Sequence, residues 1–82
     1  MTIQDLVQVL RTRPVPEDAY RLGAQGGADE VYVLEQMGVD WVVFFAELGL
    51  RTEERVFSSE AEACWELLRR LQRDFRFGSE EG

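Results

Sequence analysis

Four apolar residues near the start of the chain, Ile3, Leu6, Val7 and Leu10, recur at helical spacing and make one apolar face. They predict a helix over residues 1–12, opened by Thr2 with Asp5 three positions later in the manner of a capping box. Pro14 and Pro16 stop it, because neither carries the N–H that a helix interior needs. Residues 13–28 read as a loop in which Pro16 to Tyr20 could make one helical turn and Tyr20 and Leu22 plug into the core. Gly23, Gly26 and Gly27 are too dense for a regular element and mark a flexible connector.

The periodicity then changes. Residues 29–57 read as a β-meander. Glu30 to Gln36 is a strand rich in β-branched and aromatic residues, Met37 to Asp40 a turn around Gly38, and Trp41 to Leu48 a second strand, apolar on both faces. A four-residue turn sets Gln36 opposite Trp41, Leu34 opposite Val43 and Tyr32 opposite Phe45. One face then carries Tyr32, Leu34, Trp41, Val43 and Phe45. The other carries Val31, Val33, Val42, Phe44 and Ala46. Gly49 turns the chain into a third strand, Arg51 to Phe57, whose charge suits an edge and in which only Val56 and Phe57 look buried.

Ser59 with Glu62 opens a closing helix over 59–76, whose inward stripe is Ala61, Cys64, Leu68, Leu71 and Phe75, with Leu67 beside it and Trp65 on the flank. Gly78 ends it, and residues 77–82 are a tail. The expected fold class is α+β: one domain, a three-stranded antiparallel β-meander with an N-terminal and a C-terminal helix (α-β-β-β-α), both helices on one face of the sheet. That leaves Val42, Phe44, Ala46, Val31 and Val33 on a face either open for binding or covered by the 13–27 loop.

Charge sharpens this picture. The 82 residues carry sixteen acids and nine bases, net −7, and every base is Arg. From Ala28 to Glu66 there are ten acids against Arg51 and Arg55, so this stretch carries the negative charge and the remainder is close to neutral. Such a surface repels phosphate backbones and anionic lipid, which speaks against nucleic acid and membrane as partners, and it attracts a basic protein. A single Cys allows no internal disulfide. The first ten residues lack the features of a signal peptide, and no apolar run reaches the ~20 residues of a membrane helix, so a cytoplasmic location is expected.

Catalysis is poorly served. Without His, the usual base at neutral pH is missing, together with any triad or His metal site. Cys64 lies on the apolar stripe and reads as a small buried hydrophobe. Neighbouring carboxylates such as Glu53 and Glu54 point to opposite faces of a strand and cannot share a proton. No calcium loop and no phosphate-binding Lys or Ser/Thr after the glycines is present, so no metal or cofactor is expected. The expectation is a binding protein and not an enzyme.

The segments DEVYVLE, WVVFFAELG and VFSSEAEACWELLRRL, preceded by VPEDAYRLG, resemble small immunity proteins of bacterial polymorphic toxin systems. The resemblance implies an antidote that binds one cognate basic toxin domain. Candidate contacts are Asp29, Glu30, Glu35, Asp40, Glu47, Glu53 and Glu54, with Trp41 and Trp65 as aromatic anchors. A homodimeric adaptor paired through its sheet, or a small regulator of an unrelated enzyme, fits the same residues.

Overall fold

A computed structural model describes residues 1–23 and 30–76. The chain runs α1 (Ile3–Arg11), a 3-10 turn (Glu17–Ala19), β1 (Tyr20–Leu22), β2 (Val31–Met37), β3 (Asp40–Glu47), β4 (Leu50–Phe57) and α2 (Glu60–Phe75). The fold is α+β, with two helices and a four-stranded sheet of order β1-β2-β3-β4. The sheet departs from the expected three-stranded antiparallel meander. β2, β3 and β4 form that meander, but β1 adds a fourth strand, parallel to β2, pairing Tyr20 with Tyr32 and Leu22 with Leu34. The Gly23 N–H, donating to the Leu34 carbonyl at 2.9 Å, closes the pairing. The physical need for β1 lies in β2, whose Val31, Tyr32, Val33 and Leu34 are all buried. A strand buried on both faces belongs inside a sheet, and without β1 its backbone groups would have no partner on that side.

Local chemistry places the helices as the sequence requires. At α1 the Asp5 N–H donates to Thr2 Oγ1 at 3.2 Å and the Thr2 N–H donates to Asp5 Oδ2 at 3.1 Å, a complete capping box. At α2 the Glu62 N–H donates to Ser59 Oγ, while the Glu62 carboxylate turns to Ser58, so only half of the expected box forms. α2 ends at Phe75, with Arg76 in the left-handed conformation (φ 53°) that usually falls to glycine. The expected stop at Gly78 and the glycines at 26 and 27 lie outside the described residues. Glu60 ties the helices together by accepting from the Ile3 N–H at 2.8 Å.

The β2–β3 hairpin has the expected register: Gln36 faces Trp41, Leu34 faces Val43 and Tyr32 faces Phe45. Gly38 (φ 66°) makes the turn. Both helices pack on one face, where Leu6 and Leu10 of α1 meet Leu34 and Val43 of the sheet and Ala63, Cys64, Leu67, Leu68 and Leu71 of α2.

The opposite face is not the open apolar surface that the sequence allowed. Val31, Val33, Val42 and Phe44 form a second buried cluster. Among the described residues, the Arg51 side chain lies over this cluster, its guanidinium 4.2 Å above the Phe44 ring. Glu35 (3.1 Å) and Glu54 (3.2 Å) hold that guanidinium from either side. The Arg stem covers apolar atoms while its head stays wet, which is how a charged strand residue comes to roof an apolar face. Val56 corrects a second expectation: it is exposed, because it stands beside Val42 on the outermost strand of this face. Phe57 is half-buried against the helix-side core.

Candidate partner-binding surface

The acids expected to form a contact surface are dispersed by the sheet. Glu35 and Glu54 lie on the face away from the helices, both committed to Arg51. Glu53 points the other way, 3.6 Å from Arg73 of α2, so the two neighbours do occupy opposite faces. Glu53 takes a φ of 55° at a register shift between Val43 and Phe45, a bulge in the pairing of β4 with β3 that bends the edge strand. Asp40 begins β3 at one end of the sheet, and Glu47 closes that strand at the other. Asp29 lies outside the described residues.

Two candidates come together. Glu30 directly precedes β2 and Glu47 ends β3, both next to the terminal Val31–Ala46 pair, although Glu30 itself has left the strand conformation (φ 56°). Both are exposed, and neither has an ion-pair partner among the described residues. Two unpaired carboxylates at one end of the sheet make that end electronegative and attract a cation.

The aromatic candidates separate. Trp41 is half-buried, opposite Phe57, and packs into the helix-side core. Trp65 is 52% exposed on the outer face of α2, remote in sequence and element from Glu30 and Glu47. Sequence reasoning passed over the exposed leucines of the β3–β4 turn. Leu48 is 76% and Leu50 66% exposed, and both flank Gly49. Leu48 and Gly49 have φ of 53° and 77°, the paired positive values of a two-residue hairpin turn that normally takes Asn-Gly. The signal was present in the sequence: Leu-Gly-Leu stands where turn chemistry calls for polar residues.

A polar cluster joins α2 to the sheet. The Tyr32 hydroxyl donates to Asp74 Oδ2 at 2.6 Å and accepts from Arg73 Nη2 at 2.8 Å, while Arg73 Nε donates to Asp74 Oδ1 at 2.9 Å. Burial, reinforced by the Asp74 carboxylate, pushes the Tyr32 phenol up to about 12. Burial also works to raise Asp74, but the hydrogen bonds from Tyr32 and Arg73 outweigh it and hold that carboxyl below its usual value. Farther along α2, Glu66 accepts from Arg70 Nε at 2.8 Å, and both side chains are buried.

Cys64 is buried, and burial, with the Glu60 charge, pushes its thiol up to about 11, so the nucleophilic thiolate is suppressed. Among the described residues, no group of three or more His, Cys, Asp or Glu side chains is placed to hold a metal ion, and no helix is long and apolar enough to cross a membrane. Comparisons with protein-family models, with curated proteins and with solved structures gave no match.

Proposed function

We propose that the chain is a small acidic binding protein that recognises a basic protein domain, and that it acts in the cytoplasm as the immunity partner of a bacterial toxin. The supporting observation is the net charge of −7 together with Glu30 and Glu47, both exposed and without an ion-pair partner among the described residues, at one end of the sheet. A basic cleft docked there supplies the ion pairs that these carboxylates lack, and the overall field speeds the encounter. The toxin class comes from the resemblance carried by DEVYVLE, WVVFFAELG and VFSSEAEACWELLRRL. Such an inhibitor works by occupying a cleft and needs no catalytic group, cofactor or metal of its own.

A homodimeric module is the second reading, favoured by the eight-residue outer strand β4, which has no neighbour on one side within the described residues. The bulge at Glu53 and the alternating charges of β4 oppose edge-to-edge pairing. Co-expression separates the two. The immunity reading requires that a toxin domain be encoded beside this gene, that it kill when expressed alone, and that this chain silence it. Persistent killing in the presence of folded protein would overturn the immunity proposal.

A further inference from the structure

We infer that the β3–β4 turn is the anchor of the binding surface, with Leu48 and Leu50 entering an apolar slot of a basic protein partner while Glu30 and Glu47 engage its Arg or Lys side chains. The inference rests on the reading of the chain as an acidic binding protein and assigns the residues of contact. Leu48 and Leu50 are among the most exposed large apolar side chains of the described molecule, at 76% and 66%. The fold gains nothing from them there. Leu48 also holds a φ of 53°, which Asn or Gly would hold at lower cost, so the turn keeps an apolar side chain against the preference of its own backbone.

Charge names the occupant. Glu47 directly precedes Leu48, and Glu30 directly precedes Val31, the β2 residue paired with Ala46 next to Glu47. Both carboxylates lack an ion-pair partner among the described residues, whereas the other acids of the meander facing Arg51 or Arg73 are already neutralised. An apolar tip beside two unpaired carboxylates matches a surface that alternates cationic and apolar groups. A second copy of this chain does not offer that, because it would bring the same two acids to the same tip.

The test titrates the isotope-labelled full chain with a synthetic peptide of alternating Arg and Leu, read by amide NMR shifts. The expected result is saturable perturbation at residues 30 and 47–50, weakened by salt. Leu48→Asn should raise Tm, since Asn-Gly suits this turn, and weaken the peptide by about tenfold. A purely structural tip would give the rise in Tm with unchanged affinity, which overturns the inference. So does perturbation centred on Trp65 or β4, or no saturable response at millimolar peptide. Concentration-dependent shifts at 47–50 without peptide would identify a second copy as the occupant and equally overturn it. Failure to silence a toxin domain sinks the immunity reading alone, because the peptide titration reports on the turn whether or not the natural partner is a toxin.

Discussion

The buried pair Glu66–Arg70 provides a sharp test of how α2 is held. Both residues lie on α2, one turn apart, and are only 8% and 5% exposed. Arg70 Nε donates to Glu66 Oε2 at 2.8 Å, and Arg70 Nη1 is buried without a hydrogen-bond partner. Removing one member of such a pair strands the other charge, at a typical cost of about 3–5 kcal/mol. Arg69 stands 3.6 Å from Glu66 and can partly replace Arg70, so Arg70→Met should cost less, about 2–3 kcal/mol. Glu66→Leu leaves the Arg70 guanidinium with no acceptor and should cost the full ~3–5 kcal/mol. A domain of this size is stable by only about 4–12 kcal/mol, so the second variant stands near the limit of folding. The double variant Glu66→Leu with Arg70→Met removes both charges and the orphaned donor, and should return to within about 1 kcal/mol of the parent, or exceed it. Urea titration followed by tryptophan fluorescence and by circular dichroism measures all four proteins. Additive losses, with the double variant less stable than either single one, would refute the reasoning.

Three further outcomes follow from the same structure. Leu68→Ala, in the helix-side core, should cost about 2–5 kcal/mol by urea denaturation, and a loss under about 1 kcal/mol would mean that α2 presents another face. Tyr32 and Cys64 both have folded-state values raised above their ordinary ones, so each contributes stability that is complete below its ordinary value and lost as pH rises through the folded one. The chain should therefore lose stability between about 9 and 11 through Cys64 and between about 10 and 12 through Tyr32, and Tyr32→Phe with Cys64→Ala should flatten the alkaline slope in a thermal-melt series. Reversing Glu30 and Glu47 to Lys should slow association with a basic partner more than reversing Glu53 and Glu54, although the net charge changes equally; equal rates in stopped-flow mixing would deny the first pair a special position.

Much of the scaffold was legible in the chain because it is written in short-range chemistry. The Met37–Asp40 turn length fixed the β2–β3 register, and with it both faces of the hairpin. Thr2 and Ser59 marked both helix starts, and the Cys64–Leu68–Leu71 stripe marked the buried side of α2. What escaped depends on partners distant in sequence or on segments too short to show a period. β1 is three residues long, all half-buried, and only the double burial of β2 requires it. The roof over Phe44 unites Glu35 with Arg51, sixteen positions apart, and nothing local announces that a charged strand will cover an apolar face. Glu66 and Arg70 look like any surface pair one helical turn apart, since burial leaves no mark on spacing. The candidate surface was only half visible. Seven acids offered themselves alike; Arg51 and Arg73 take up Glu35, Glu54 and Glu53, which leaves Asp40 at one end of the sheet and Glu30 with Glu47 at the other as the unpaired ones among the described residues. Leu48 and Leu50 were hidden in plain view as the end of one strand and the start of the next.

The proposed binding of a basic protein domain through the acidic, apolar-tipped end of the sheet is open to direct measurement. Titration calorimetry of the purified chain against a basic toxin domain from a neighbouring gene, at low and at high salt, tests that most directly. A one-to-one complex is expected, with an affinity that falls by at least about tenfold between roughly 50 and 500 mM salt. No complex, or a complex indifferent to salt, would contradict it.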